Sequence, residues 1–318
     1  MEENTYPRVV VIGGGTGMPV LLRGLKNLPI DLTALVAVSD DGGSTGRLRN
    51  DMEIPAPGDI RNVIAALSNA EPLFIELFQH RFSEGNGLSG HSMGNLLLAA
   101  MTSLTGDFYT GIKEVSRIFN VRGDILPISN ESMSLHAEME DGSIVSGESK
   151  IPQVNKRIKK VFLKTEPIKP LPNAVKAIEN ADLVVISPGS LYTSILSNLI
   201  IPHIGEAIRN TKGKVVYVCN VMTQIGETTG YTAADHVVAI NEHIGSGCLD
   251  SIVLHNQSIR HAISDVYAIE HAEPVIYDIE RLEKLGLEII RENIIDYTET
   301  TVTHNRKRVA QLLYSLIK

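Results

Sequence analysis

The chain has 318 residues and carries 29 Lys and Arg against 37 Asp and Glu, which gives a formal net charge of −8. Its 43% hydrophobic and 21% charged content exclude a disordered chain and predict a large buried core. The acidic balance argues against nucleic acid and anionic membranes as partners. Two cysteines exclude a disulfide framework, and no apolar run is long enough to span a membrane. Because the start is polar and lacks a signal-peptide pattern, we expect a cytoplasmic protein without membrane insertion.

The first forty residues predict a strand, a glycine-rich loop, a helix and a second strand. Residues 8–13 are β-branched and end in glycines, residues 18–26 have helical spacing, and residues 32–39 are again typical of a buried strand. A β-loop-α-β unit of this kind places its two strands in parallel, with their loops at one edge of a sheet.

The middle of the chain changes character. Four segments with helical spacing come first, at residues 60–67, 73–78, 92–104 and 112–119. Residues 134–140 and 143–149 then alternate polar and apolar around Asp141-Gly142, which predicts a β-hairpin, and a strand is expected at 158–163.

After Pro170 the alternation of helices and strands resumes. Helices are predicted at 174–179, 192–198, 204–210, 233–243 and 306–317, strands at 183–187, 214–220 and 251–255, and extended pieces at 274–277 and 288–291. The fold class is therefore α/β: a Rossmann-like, doubly wound, mostly parallel sheet with a helical and β-hairpin elaboration in the middle of the chain. We expect a single domain over 1–318, with its core at about 7–70 and 170–318 and the elaboration at about 71–169.

The loop after the first predicted strand is a candidate phosphate cradle. Glycines let the backbone approach a phosphate closely, and the start of the next helix offers free N–H groups. A plain tight turn is the alternative, because Met18 stands where the dinucleotide fingerprint requires its third glycine. The candidate residues of this loop are Gly13, Gly14, Gly15, Thr16 and Gly17.

The loop after the second predicted strand carries an acidic pair. Asp40 or Asp41 has the chemistry to hold a ribose hydroxyl or a hydrated divalent ion, and Arg47 to pair with an anion. The alternative is a polar loop whose aspartates only cap turns. The other candidates here are Gly42, Gly43, Ser44 and Thr45.

Two predicted helix starts add weaker candidates. Asp59 is interpreted as a helix N-cap, with Arg61 or Asn62 facing the site. At the second start His91 is either a general acid or base or a simple hydrogen-bonding residue. Gly94 suggests a close approach by a ligand or a neighbouring helix, and Asn95 follows it.

A third strand-to-helix loop repeats the logic of the first. Its backbone N–H groups and hydroxyls are available to phosphate oxygens, and Asn220, at the end of the next strand, would lie on the same edge. The candidates are Ser187, Gly189, Ser190, Leu191, Tyr192, Thr193 and Ser194. Zinc motifs and a P-loop are absent from the sequence.

Five motifs in order resemble those of one family. They are Gly13-Gly-Gly-Thr-Gly17, Ser39-Asp-Asp-Gly-Gly-Ser-Thr-Gly-Arg47, Pro57-Gly-Asp-Ile-Arg-Asn62, Gly90-His-Ser-Met-Gly-Asn95 and Ser187-Pro-Gly-Ser-Leu-Tyr-Thr-Ser194. The chain resembles the bacterial gluconeogenesis factor family, the YvcK-type branch of the CofD-like superfamily. The resemblance implies a cytoplasmic protein needed for cell shape and for growth on gluconeogenic carbon sources, which binds a UDP-sugar such as UDP-N-acetylglucosamine.

The superfamily's enzymes imply a second reading. They are magnesium-dependent 2-phospho-L-lactate transferases that use a guanylyl diphosphate donor, and they share the GGTG start and an acidic pair aligned with Asp40 and Asp41. This sequence departs from them directly after that pair, which favours nucleotide binding over deazaflavin transfer. No cofactor is established by the resemblance; magnesium at Asp40 and Asp41 is the candidate. A NAD-type dinucleotide-binding protein is the third reading.

These expectations assign roles along the predicted sheet edge. The Gly13–Gly17 loop, Gly189, Ser190 and Thr193 would contact a diphosphate, while Arg47 and Asn62 would hold the distal sugar or phosphate. A homo-oligomer and a cell-wall or cytoskeletal protein partner are expected, and residues 298–303 offer hydroxyls for phosphorylation.

Overall fold

Seven parallel strands form the central sheet of this computed structural model, which describes residues 6–163, 168–260, 267, 272–298 and 301–317. Its order is β10-β9-β8-β7-β1-β2-β3, so the predicted α/β class with a parallel sheet is confirmed. The described strands are β1 Arg8–Gly13, β2 Asp31–Val36, β3 Asp124–Pro127, β4 Leu135–Met139, β5 Ile144–Ser146, β6 Ile158–Leu163, β7 Leu183–Ile186, β8 Lys214–Val218, β9 Ser251–His255, β10 Glu288–Glu292, β11 Ile295–Tyr297 and β12 Val302–His304.

Strand β1 occupies the middle of the sheet. It pairs with β2 on one side, where Val10 lies opposite Thr33, and with β7 on the other, where Val10 lies opposite Val184. Its buried run of Val and Ile suits a strand that is covered on both faces. Because the strand order reverses between β1 and β7, this is the switch point at which sheets of this type bind ligands.

Twelve α-helices are described in the same residues. They are α1 Gly17–Leu25, α2 Gly43–Met52, α3 Gly58–Leu67, α4 Pro72–Gln79, α5 Met93–Thr105, α6 Phe108–Ile118, α7 Pro172–Glu179, α8 Ser197–Leu199, α9 Ile204–Asn210, α10 Ala233–Ile244, α11 Ile279–Lys284 and α12 Arg306–Ser315. A π-helix, Leu191–Leu196, runs directly into α8, and a 3₁₀ turn spans Pro152–Val154. Within the described chain, no helix has the length and apolar character needed to cross a membrane.

Two small antiparallel sheets complete the fold. The predicted hairpin around Asp141-Gly142 is confirmed as β4 and β5, and β6 pairs with the other side of β4. Strand β5 ends at Ser146, three residues earlier than predicted, because the chain then turns toward the central sheet. The second small sheet pairs β11 with β12.

Several elements differ from the sequence predictions. Helix α2 occupies most of the segment predicted as a glycine-rich loop, because burial of Thr45 and Leu48 offsets its poor helix-forming residues. Strand β3 lies within the predicted elaboration but adds to the edge of the central sheet, pairing with β2. The extended piece at 274–277 makes only isolated bridges, and α11 and the β11–β12 pair were not predicted.

Candidate functional site

Two glycine loops meet where the strand order reverses. The Gly13–Gly17 loop follows β1, and residues 187–190 follow β7, the neighbouring strand. A Cβ on Gly13 would overlap Ser187 Oγ, and a Cβ on Gly17 would overlap the Pro188 carbonyl oxygen. Gly15 has φ +63°, which a larger residue rarely adopts. Glycines are therefore required here so that the two loops can approach each other closely.

Asn220 holds the β7 loop in place. Its Oδ1 accepts a hydrogen bond from Gly189 N at 2.9 Å, and its Nδ2 donates to Gly189 O at 2.7 Å. Nearby, Gln224 Nε2 donates to Ser190 Oγ at 3.0 Å. The structure thus brings Asn220 to the predicted edge, where it contacts the loop backbone and positions it.

The start of the π-helix is bonded to Glu227. This carboxylate is 6% exposed. It accepts hydrogen bonds from Tyr192 N at 2.9 Å, Thr193 N at 3.3 Å and Thr193 Oγ1 at 2.7 Å. Burial raises the pKa of Glu227. The N–H groups of Tyr192 and Thr193, which were predicted to face a phosphate, therefore already bind a carboxylate. The Tyr192 hydroxyl lies in the interior, 2.7 Å from the Tyr231 hydroxyl.

Asp59 contacts the first glycine loop. The prediction of an N-cap is wrong, because α3 begins at Gly58 and Asp59 lies inside its first turn. Its Oδ2 instead accepts a hydrogen bond from Gly15 N at 2.8 Å. Burial raises the pKa of Asp59 to about 6, with the Asp40 charge adding to the increase. A Cβ on Gly14 would overlap the same carboxylate, so Asp59 fixes the shape of this loop.

The acidic pair is held by backbone N–H groups from both sides. Asp40 Oδ1 accepts from Gly42 N at 2.8 Å, just before α2 begins. Asp41 Oδ1 accepts from Ser149 N at 2.9 Å, which joins the turn after β5 to the central sheet. Both aspartates are partly exposed, so each presents carboxylate oxygen at the sheet edge.

Glu148 completes an acidic cluster with Asp40, Asp41, Asp59 and Glu227. Burial raises the pKa of the Glu148 carboxyl to about 8, and the negative charges of Asp40, Asp59, Glu227 and Asp41 add to the effect in that order. Among the described residues, no group of three or more His, Cys, Asp or Glu side chains is arranged to hold a metal ion. The cluster is therefore a concentration of negative charge without a complete ligand set of its own.

Arg49, which the sequence analysis did not single out, anchors the acidic loop. Its Nη1 donates to Ser39 O at 3.0 Å and Asp40 O at 2.9 Å, and its Nη2 donates to Met133 O at 2.6 Å. The predicted anion-binding residue Arg47 is exposed and donates to Ser89 O at 2.7 Å. Helical phase explains the difference, since residues two apart on α2 point to different sides.

A buried polar network lies behind α2. Ser44 Oγ is 3.0 Å from His91 Nδ1 and accepts from Asn95 Nδ2 at 3.1 Å, while Arg61 Nε donates to Asn95 Oδ1 at 3.0 Å. Burial lowers the pKa of His91, and the Arg47 charge lowers it further. The helix cap is Ser92, whose Oγ accepts from Asn95 N at 3.3 Å.

Three further predicted residues have different surroundings. Gly94 is approached by Phe78 O and the Arg61 side chain, so a helix contact explains this glycine without a ligand. Asn62 is half-buried beside Arg61 on α3, and Thr16 is exposed at the tip of the first loop. Their roles toward a ligand stay predictions.

Glu148 and Glu227 are the two carboxylates that sequence reasoning missed. Each is a single acidic residue in a loop, and it reaches the site only because the chain returns from a distant strand. The one available signal was the glycine that precedes each, Gly147 with φ +105° and Gly226 with φ +77°.

The fold and the site define a Rossmann-like α/β protein whose glycine loops and carboxylates gather at the switch point of a parallel sheet. A sequence profile described as 2-phospho-L-lactate transferase CofD matches residues 9–295. The chain belongs to this CofD family, as its motifs predicted.

Curated relatives carry a more specific name. The gluconeogenesis factor of Bacillus subtilis (strain 168) is 56% identical over 312 residues, covering 98% of each chain. Those of Halalkalibacterium halodurans and Listeria innocua are 55% and 44% identical, covering 96% and 100% of this chain and 95% and 98% of their own. A Bacillus halodurans protein solved by X-ray crystallography has a TM-score of 0.96 at 55% identity, covering 98% of this chain and 100% of that one. A second crystal structure of the same Bacillus halodurans protein, described as a member of the UPF0052 family, has a TM-score of 0.95 at 54% identity, covering 98% of this chain and 99% of that one.

Proposed function

We propose that this chain is a cytoplasmic gluconeogenesis factor that binds a nucleotide sugar of the UDP-N-acetylglucosamine type and acts as a regulator of cell shape and of growth on gluconeogenic carbon sources. The names of the curated relatives support the gluconeogenic role. The observation that carries the binding proposal is the close meeting of the β1 and β7 glycine loops at the switch point of the sheet.

The diphosphate would lie against these two loops. Phosphate oxygens would contact backbone N–H groups of these loops, as they do at glycine-rich strand-to-helix turns of other parallel sheets. Asp40 and Asp41 would take the ribose or a phosphate-bound magnesium ion, and Arg47 the distal group. Because Glu227 already occupies the N–H groups of Tyr192 and Thr193, and Asn220 occupies that of Gly189, the proposal assigns the β7 contribution chiefly to Ser190.

The donor set suits magnesium only when a ligand supplies more oxygens. Magnesium is commonly bound through one or two carboxylates together with substrate phosphates and water. Asp40 and Asp41 offer two such carboxylates. Burial raises the pKa values of Asp59 and Glu148 beside them, and the negative charge of Asp40 adds to both increases. A bound cation would supply positive charge next to the diphosphate.

Calorimetric titration with UDP-N-acetylglucosamine, NAD and GDP, each with and without magnesium, tests the proposal. We expect saturable binding of the UDP-sugar without its consumption. Gly15→Val should abolish that binding, because the side chain would strain the loop and approach Ser194 Oγ. Gly142→Val is the matched control, since Gly142 also has positive φ but lies at a distant hairpin turn. Binding that survives Gly15→Val in a folded protein would contradict the assignment.

A second candidate function is a magnesium-dependent transferase of the 2-phospho-L-lactate transferase type. The family to which the chain belongs and the acidic cluster around Asp40 and Asp41 favour it. It predicts that a nucleoside-diphosphate donor is consumed only when magnesium and an acceptor are both present. Asp41→Asn should then abolish turnover, whereas a binding protein would show no turnover to abolish.

A further inference from the structure

A basic cavity lies at the far end of α1 from the glycine loops. Its volume is about 750 Å³, within the size range of small-molecule sites. It is open to solvent, with Arg23, Arg306 and Lys307 exposed at its rim, and is bordered by the end of α1, the end of α3, one side of α4 and the start of α12. Four cationic residues line it: Arg23, Lys26, Arg306 and Lys307.

These four cations have no acidic counterpart among the residues that the structure describes. None of the described residues that line the cavity is Asp or Glu. In the described part of the chain, none of the four takes part in an ion pair. This is unexpected in a protein with a formal net charge of −8, where acidic partners outnumber basic ones.

The backbone holds the like charges together. A Cβ on Gly24 would overlap the Arg306 carbonyl oxygen, so α1 and the start of α12 touch through their backbones. Burial lowers the pKa of Arg23, and the neighbouring Arg306 lowers it further. Burial and the Arg23 charge likewise lower the pKa of Lys26, whose Nζ donates to Ser68 O at 2.7 Å. The folded chain therefore keeps repelling charges adjacent.

The floor of the cavity is apolar. Ala65, Ala66 and Ala310 are buried there, and Ile75 and Leu28 are partly buried beside them. Cations around an apolar floor match a ligand that combines a carbon skeleton with anionic groups. Two phosphate monoesters, each carrying roughly −1.5 to −2 charges at neutral pH, would balance the four cations.

We propose that this cavity binds a small phosphorylated metabolite that carries two phosphate groups on a carbon skeleton. The cavity is separate from the glycine loops at the sheet edge. The proposal for the cavity does not depend on which ligand binds at the sheet edge. The arginines would pair with phosphate oxygens through two N–H groups each, and the lysines would act as point charges.

Calorimetric titration at fixed ionic strength tests the proposal with three probes: a hexose bisphosphate, the corresponding monophosphate and the neutral hexose. We expect saturable bisphosphate binding, at least about tenfold tighter than that of the monophosphate, and none of the neutral sugar. Absence of saturable bisphosphate binding would overturn the proposal.

Variants locate the binding. Arg23→Gln/Arg306→Gln should weaken bisphosphate affinity by at least about tenfold. Lys113→Gln/Arg117→Gln, which removes two exposed positive charges from α6, and Gly15→Val at the sheet edge should both leave it unchanged. Loss of binding in Gly15→Val alone would move the bisphosphate to the glycine loops and overturn the proposal.

A measurement on the unmodified protein guards against misfolded variants. Alanine methyl resonances of Ala65, Ala66 and Ala310 should shift on addition of the bisphosphate, because these residues line the cavity. Shifts confined to residues of the glycine loops would contradict the site.

Discussion

The two ends of α1 lie in opposite electrostatic environments. At its start, next to Gly17, carboxylates crowd together and burial raises the pKa values of Asp59 and Glu148. At its end, Arg23 and Lys26 crowd with Arg306; burial lowers the pKa values of Arg23 and Lys26, and a neighbouring cation lowers each further. In each region the fold keeps like charges close at a cost in stability. Both regions should therefore gain stability when a ligand of opposite charge binds.

The largest expected effects come from the glycines at the two ends of α1. Gly17→Ala would press a Cβ against the Pro188 carbonyl oxygen, and Gly24→Ala against that of Arg306. Each should lower the free energy of unfolding by about 3 kcal/mol, because backbone must move to relieve the overlap. Chemical denaturation measures the change. Gly189→Ala is the control, since its Cβ would lie 3.5 Å from Gly14 O, an ordinary contact, and equal losses in all three would contradict the argument.

Asn220→Ala should weaken ligand binding only at the start of α1, where the glycine loops and carboxylates lie. It removes both hydrogen bonds to Gly189, so we expect a loss of about 2 kcal/mol of stability and weaker UDP-sugar binding, with bisphosphate binding unchanged. Thermal melts and the two titrations measure these effects. Asn180→Ala removes an exposed amide that donates to Lys176 O and serves as the control. A bisphosphate affinity that falls together with the UDP-sugar affinity would show that the two regions are not separable.

Glu148→Gln should stabilise the ligand-free protein at alkaline pH. The folded-state pKa of Glu148 is raised to about 8, so the folded chain holds a proton that the unfolded chain releases near pH 4.5. Stability is therefore lost as pH rises through this window, and the substitution should recover about 1–2 kcal/mol at pH 8, after allowance for its partial solvent access. Melting curves from pH 5 to 8 measure it. The benefit should vanish toward pH 5, and Glu84→Gln, in an exposed loop, should show none.

Arg23→Gln tests the basic end and has the smallest expected effect. Removing one of the repelling cations should stabilise the chain by roughly 0.3 kcal/mol at low salt, the usual size for exposed like charges. Differential scanning fluorimetry in dilute chloride measures the shift. In a phosphate-rich buffer the sign should reverse, because the wild-type cavity then gains an anion, and Arg117→Gln should show no such reversal.

The sequence predicted the parts of the fold that local patterns determine. The apolar run of β1 ends in glycines, those of β2 and β7 are followed by polar loops that contain glycine, and the hairpin has Asp141-Gly142 at its turn. Helix α2 was missed because Gly43 and Gly46 lower its helix propensity, and its stability comes from tertiary burial. Tertiary contacts of this kind leave no local signal in the sequence.

In the candidate site, too, contiguous motifs were predictable and contacts made by long-range packing were not. The glycine loops and Asp40 and Asp41 are contiguous motifs, so their position after neighbouring strands was predictable. Glu148 and Glu227 are isolated residues that long-range packing brings to the same edge. The contact of Asp59 with Gly15 depends on the angle at which α3 meets the loop, and no local pattern encodes that angle.

The position of β1 in the sheet also bears on how the chain is made. One side of β1 pairs with β2, which follows shortly after β1 in the chain. The other side pairs with β7, which comes much later, with Val9 opposite Leu183. During synthesis on the ribosome, the β7-facing side of this apolar strand stays open until residue 186 has emerged, and open strand edges invite aggregation. Such long-range pairing also slows folding. The switch point between β1 and β7 is therefore assembled only after more than half of the protein has been translated.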